Sequence, residues 1–278
     1  MSVRIFVDST ADLIPALREK VTAVPLTVHF GDKEYADGVE ITPDEFYKKL
    51  VASKELPTTS QATPYAFSEA FEEAVEAGDT VVAVIISSGL SGTYQSATIA
   101  ASEFPGRVFV VDSRNVTISA GVLVEYAFRL LEQGMDAESI AAELTAARGR
   151  VRLMAVVDTL EYLQKGGRVS KAVAIAGGLL SIKPIIGIND EGKIDVVAKV
   201  RGNKQANAAM NKRALEMDID FSMPVLLGYT GTSDALLRKY IQESEAFLEG
   251  HAYGISVVGP VVGTHAGPNA VAIAFFTK

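Results

Sequence analysis

Residues 80–97, TVVAVIISSGLSGTYQSA, decide the fold. The run through Ile86 is apolar and β-branched at consecutive positions, so both faces of the strand must be buried, as in a parallel sheet packed between helices. A helix begins near Thr93, which makes the Ser/Gly segment a strand-to-helix corner at the carboxyl edge of the sheet, where open α/β sheets bind ligands. Gly89 and Gly92 let a ligand approach the backbone, the helix start offers unpaired N–H groups, and Ser91 adds a hydroxyl. The outline is that of an anion site. The alternative is a serine-rich helix start with nothing bound.

The same alternation continues on both sides. VRIFVD (3–8) is a strand followed by DLIPALREKV, a helix with Asp12 as N-cap and Pro15 at its third position. AVPLTVHF (23–30) reads as one strand. Thr42 and Thr63 each precede a proline that opens a helix, and Glu45 closes a capping box with Thr42. RVFVVD (107–112) is a strand, and two helices cover 117–147. VDSTAD and VDSRNV end two strands alike and predict similar corners. From RLMAVVD (152–158) the pattern changes: a short helix stops at Gly166-Gly167, an Ala/Gly/Leu-rich helix leads into IKPIIGI, and NDEG turns a β-hairpin. A helix over 203–217, the strand PVLLGYT, a Ser233-capped helix and two closing strands around GTHAGPN complete the chain. The expected fold is α/β in two domains: an N-terminal α/β domain, 1–150, with a parallel sheet flanked by helices, and a C-terminal α+β domain, 151–278, with a mixed sheet.

The chain has 278 residues, 48% of them hydrophobic, and a net charge of −8 (26 basic against 34 acidic), with no Cys and no Trp. A sizeable core is available. The absence of cysteine removes disulfides, thiolate chemistry and Cys-ligated zinc, and suits a reducing compartment. No basic run exists to meet a phosphate backbone, so nucleic acid is not an expected partner. The N-terminus lacks a signal peptide, and Lys183 and Pro184 interrupt the longest apolar stretch, 172–188, before it reaches a membrane span of ~20 residues. A cytoplasmic protein without an integral membrane segment is expected. No nucleotide-binding or metal-binding motif is present, and a strand-end Asp8 with a helix-cap Asp12 accounts for the acidic cluster at the start.

Other segments carry possible chemistry. LPTTSQATP (56–64) holds Thr58, Thr59, Ser60 and Gln61 in surplus over the one cap, Thr63, that a helix needs; they would suit a carboxyl head or be ordinary loop residues. GTHAGPN (263–269) sets His265 between glycines in a loop, open to an anion or satisfied within its turn. GGRVSK (166–171) places Arg168 beside a glycine pair, fit for a phosphate, a partner carboxylate or plain solvent. The chain order Ser91, Asp112 or Asp158, His265 is also that of a serine hydrolase of acyl esters. That enzyme's nucleophile elbow is G-x-S-x-G, and Thr93 stands where its second glycine belongs.

Taken in order, VDSTADL, LPTTSQATP, SSGLSGTYQSA, VVDSRNV, TLEYLQKGGRVS, LLSIKPII and VGPVVGTHAGPNAVAI resemble the motif set of the DegV family, from residue 5 to about 276. The sequence departs from that pattern at Ala62, where proline is common, and at Asn269, where glycine is common. The resemblance implies a two-domain carrier, not an enzyme, that needs no cofactor and binds a long-chain fatty acid with its tail in an apolar tunnel. It is similar to the FakB type, which presents the carboxyl group to a separate ATP-dependent fatty acid kinase, FakA, for acyl-phosphate formation and phospholipid synthesis. By motif, the implied head-group set is Thr59, Ser60, Ser91, Gly92 and His265, with Arg168 meeting phosphate or kinase; stretch 172–188 and the closing strands are the expected tunnel walls.

Overall fold

The computed structural model describes residues 2–169 and 181–278. The first half runs β1 (Val3–Asp8), α1 (Pro15–Arg18), β2 (Thr22–Val24), β3 (Thr27–Phe30), β4 (Lys33–Ala36), α2 (Pro43–Ala52), β5 (Thr58–Ser60), α3 (Pro64–Glu76), β6 (Thr80–Ile85), α4 (Thr93–Ala101), β7 (Val108–Asp112), α5 (Thr117–Glu132) and α6 (Ala137–Ala147). Strands β2-β1-β6-β7 form a parallel sheet in that order, and β4-β3-β5 form a small antiparallel one. After a 3₁₀ turn (Arg148–Arg150) come β8 (Val151–Val156), α7 (Glu161–Lys165), β9 (Ile182–Ile188), β10 (Ile194–Arg201), α8 (Asn203–Glu216), β11 (Leu226–Tyr229), α9 (Ala235–Glu243), α10 (Glu245–Leu248), β12 (Gly254–Val257), α11 (Pro260–Ala266) and β13 (Val271–Phe276). Their sheet is mixed, with order β10-β9-β8-β13-β11-β12. The fold is α/β, as the strand-and-helix alternation predicts.

Side-chain alternation sorts the core into three layers. On β13, Val271, Ile273 and Phe275 face the outer helices with Met210 and Leu237, whereas Ala272, Ala274 and Phe276 face inward. The inner face of the mixed sheet and one face of the parallel sheet, including Val7, Val82 and Val84, close on α5 as one core. The other face of the parallel sheet, Phe6, Val81, Ala83 and Ile85, packs with Phe46, Phe67 and Phe71. Burial on both faces is what the unbroken apolar run of β6 requires. Thr42 and Thr63 cap their helices as expected, and Glu45 completes the box with Thr42.

The two Val-Asp-Ser corners are alike in detail. Asp8 accepts from Thr10 N and Asp112 from Arg114 N, each two residues on, and both also reach the end of β6: Asp8 Oδ2 accepts from Ile86 N at 2.6 Å, Asp112 Oδ2 from Ser88 Oγ at 2.7 Å. The β6-to-α4 corner is thus clamped by a carboxylate from each neighbouring strand.

Several local expectations are corrected. AVPLTVHF is two strands in two sheets: β2 joins β1, β3 pairs with β4 and β5, and Pro25, which lacks an N–H, lies between them. Asp12 is not a helix cap. α1 starts at Pro15 after Ile14, while Asp12 is buried and accepts from Thr117 Oγ1 and Gly259 N. Thr58–Ser60 is a strand, not a loop. His265 lies in the last turn of α11, not in a loop between strands, because Pro260 opens a helix there. Ser233 Oγ accepts from Ala235 N at 3.2 Å, but Asp234 is the residue at the cap position of α9. The helix expected from residue 172 lies outside the described residues, as does the part of the expected tunnel wall over 172–180. Asn269, where the family pattern favours glycine, has φ +66°, the left-handed region in which asparagine is among the tolerated side chains.

Candidate functional site

A cavity of about 390 Å³ lies between the carboxyl ends of the parallel strands and the inner face of the mixed sheet. Its size is that of a small-molecule site. Alternate residues of β8, Leu153 and Ala155, and then Val157, line it together with Ile186 and Ile194; Ala270, Ala272 and Ala266 keep it open by their small volume. From β5 come Thr59 and Ser60, from the β6 corner Ser91 and Gly92, from beyond α7 Arg168, and from α11 His265. The six residues that the family resemblance implied therefore line one cavity, whereas Thr58, from the same polar run as Thr59, does not.

Their local bonds differ. Thr59 Oγ1 lies 3.0 Å from His265 Nε2, and this contact ties β5 to α11 across 206 residues. His265 is largely buried, and burial, helped by the charge on Arg168, lowers its pKa to about 4, so the ring is neutral near pH 7. Among the described residues its buried Nδ1 has no partner. A buried N–H without an acceptor is rarer and costlier than a bare acceptor, so the Nε2–H tautomer is favoured and Thr59 keeps its own hydroxyl proton for a ligand. Ser60 is exposed at the rim and bonds His29 Nε2 at 2.7 Å. Ser91 Oγ lies 2.9 Å from Thr93 Oγ1 and accepts from Thr93 N, so part of its capacity goes to opening α4. Gln61 stacks over Gly92, where a Cβ would come within 2.1 Å of its Oε1, and donates to Ser96.

Arg168 is half-buried, and desolvation lowers its pKa from the usual arginine range. Its guanidinium donates to Gly166 O at 2.6 Å, and among the described residues no carboxylate lies within salt-bridge distance of it. A hydrolase triad is not assembled. Ser91 Oγ bonds Thr93, His265 Nε2 faces Thr59, Asp112 holds Ser88 and Arg114, and Asp158 pairs with Lys183. Among the described residues no cluster of His, Asp or Glu could hold a metal ion. No described helix is long and apolar enough to cross a membrane.

Sequence reasoning left out of the site several residues that touch it. Gln61 and three buried threonines, Thr10, Thr117 and Thr230, also line the cavity. Gln61 was legible as part of a polar surplus. Each threonine follows a strand and passes for a turn or cap residue, so nothing local marks it.

An α/β frame with an apolar cavity under the parallel strand ends, and a cluster of hydroxyls, amides and one neutral imidazole on its wall, defines a binding protein for a largely apolar small molecule. The comparisons agree: the DegV family model matches residues 2–278, and the chain belongs to the DegV family. A DegV domain-containing protein of Caldanaerobacter subterraneus is 38% identical over 283 residues, covering 99% of each chain. Among solved structures, a fatty-acid-binding DegV family protein of Thermus thermophilus superposes with a TM-score of 0.88 at 34% identity, covering 100% of both chains. A stearic acid-binding protein of Eubacterium ventriosum gives 0.87 at 30%, covering 100% of this chain and 99% of its own.

Proposed function

We propose that this chain binds one long-chain fatty acid, with the tail along the apolar wall and the carboxyl group at Thr59, Ser60, Ser91, the Gly92 amide and His265. It then presents that carboxyl to a separate ATP-dependent kinase of the FakA type, with Arg168 meeting the phosphate or the kinase. The observation that carries the reading is the convergence of six residues from four separated segments on one cavity with a largely apolar lining. We also take 1–150 and 151–278 as its two domains, since neither of the larger sheets draws strands from both; α5 belongs to the first and packs against both.

Energetics favour this division of labour. Removing a tail CH₂ from water contributes ~0.8 kcal/mol, so about fifteen contribute ~12 kcal/mol gross, against ~1.5 to 3 for one hydrogen bond to a charged group. Tail burial sets affinity. The polar residues orient the head, and hydroxyls and amides hold the carboxylate while the one guanidinium, Arg168, is left for the phosphate or the kinase.

Protein purified from a bacterial host should release about one fatty acid per chain on denaturing extraction, read by mass spectrometry. Ligand at 100 times its dissociation constant adds ~2.7 kcal/mol, so delipidation should lower the melting temperature and added palmitate restore it. A clean extract from folded protein that takes up neither palmitate nor oleate would refute the carrier reading. Arg168→Ala tests the second half: acyl-phosphate formation with purified kinase should fall at least tenfold more than lipid content does. Lys should rescue it partly, keeping the charge without the bidentate fork. Wild-type turnover in Arg168→Ala would return Arg168 to the ordinary surface.

A further inference from the structure

Thr10, Thr117 and Thr230 are buried to 1%, 5% and 4% exposure and line the same cavity. They form one locus. Thr117 N donates to Thr10 O at 2.8 Å; Thr117 Oγ1 donates to Asp12 Oδ2, whose other oxygen accepts from Gly259 N; and Val258, next to Gly259 and itself on the cavity wall, donates to Tyr229 O beside Thr230. Packing alone does not account for threonine at 117. Its φ is +54°, a conformation that β-branched residues rarely adopt.

The hydroxyl protons are unevenly committed. Thr10 Oγ1 donates to Asp8 at 2.5 Å and Thr117 Oγ1 to Asp12 at 2.5 Å, so both turn only acceptor lone pairs elsewhere. Thr230 Oγ1 accepts from Ala270 N at 2.7 Å, and among the described residues its proton has no acceptor. An alcohol fits this set, since its hydroxyl donates its one proton to either of the two acceptors and accepts the proton of the one donor. A carboxylate, which only accepts, is disfavoured beside two oxygens backed by Asp8 and Asp12. A methylene leaves the Thr230 proton unpaired, and a site built to bond a hydroxyl discriminates against the analogue that lacks one.

We propose that this locus is a second polar subsite that receives a hydroxyl carried on the acyl chain, so that the cavity prefers fatty acids hydroxylated at one position along the tail. The inference rests on the fatty-acid reading above. It is tested with delipidated wild-type protein at pH 8, above the value of about 7 to which burial raises Asp12, by displacement of a fluorescent fatty acid with palmitic acid and with monohydroxypalmitic acids stepped along the chain. One position, or two adjacent ones, should bind at least as tightly as palmitate and roughly tenfold tighter than the remaining positions. A similar loss at every position overturns the subsite. In Thr230→Val the ratio of preferred hydroxy acid to palmitate should fall about tenfold, whatever the absolute affinity. An unchanged ratio removes the assignment to these threonines. Failure of palmitate and every hydroxy acid to bind would instead overturn the fatty-acid reading itself.

Discussion

Urea unfolding of the lipid-free protein is expected to show stability rising as the pH is lowered from 8 to 5. Asp12 and Asp37 are buried at the start of α11, where they accept from Gly259 N and Val261 N. Desolvation raises each carboxyl from 3.8 to about 7, and in Asp37 the charge on Asp12 adds to the rise. A raised carboxyl keeps in the folded state a proton that the unfolded chain releases above about pH 4. Its stabilisation is complete below that unfolded value and is lost as the pH climbs through the folded one. Each proton of difference gives ~1.4 kcal/mol per pH unit, so the pair gives up to ~2.7. His265 opposes them. Its pKa is held at about 4 by desolvation, then by Arg168, so below about pH 6.5 the unfolded chain takes a proton the folded ring refuses, which removes ~1.4 kcal/mol per unit. Asp8, also raised by burial, adds to the carboxyl side. The net slope stays favourable toward acid, and Asp37→Asn should flatten it by about one proton, ~1.4 kcal/mol per unit. A stability that peaks near pH 8 and falls steadily to pH 5 would contradict buried acids at these positions.

The parallel half of the fold was legible because its signals are local. The run 80–86 cannot be solvated on either face, and Thr-Pro pairs open helices wherever they fall. What escaped depends on distant residues. VGPVVGTHAG has the valines of a strand, but α11 forms because Asp12 and Asp37 accept from its first N–H groups and Gly263 packs against Tyr47 and Phe46, where a Cβ would come within 2.6 Å. Asp12 has the sequence position of a cap and the structural role of a tether, and only the partners far along the chain tell the two apart. The proposed head-group residues were singled out through the resemblance; composition left each one open, because a threonine with a ligand and a threonine at a turn look alike in sequence. Thr10, Thr117 and Thr230 show the same limit, for what distinguishes them is where their protons go.

Gly166→Ala is expected to weaken fatty-acid binding by about ten- to a hundredfold through a wedge against one ring. Gly166 has φ −73° and ψ −9°, so alanine meets no backbone strain. Its Cβ, however, would lie 2.2 Å from His265 Nδ1, 2.8 Å from Cε1 and 3.1 Å from Tyr162 O. The ring cannot retreat with its helix, since Gly263, two residues before it, already touches buried aromatic rings. It must therefore rotate, which breaks the 3.0 Å contact with Thr59 and leaves that hydroxyl unaimed. A hydrogen bond to a charged group contributes ~1.5 to 3 kcal/mol, and each ~1.4 is tenfold in affinity. Overpacking should cost a further ~1 to 3 kcal/mol of stability. Palmitate affinity and urea unfolding of Gly166→Ala, His265→Ala and the double variant separate the causes. With the imidazole gone the added methyl has room, so the double variant should be no worse than His265→Ala alone. If the two losses simply add, the wedge does not act through His265; if Gly166→Ala binds palmitate like the wild type, the ring does not orient the head group at all.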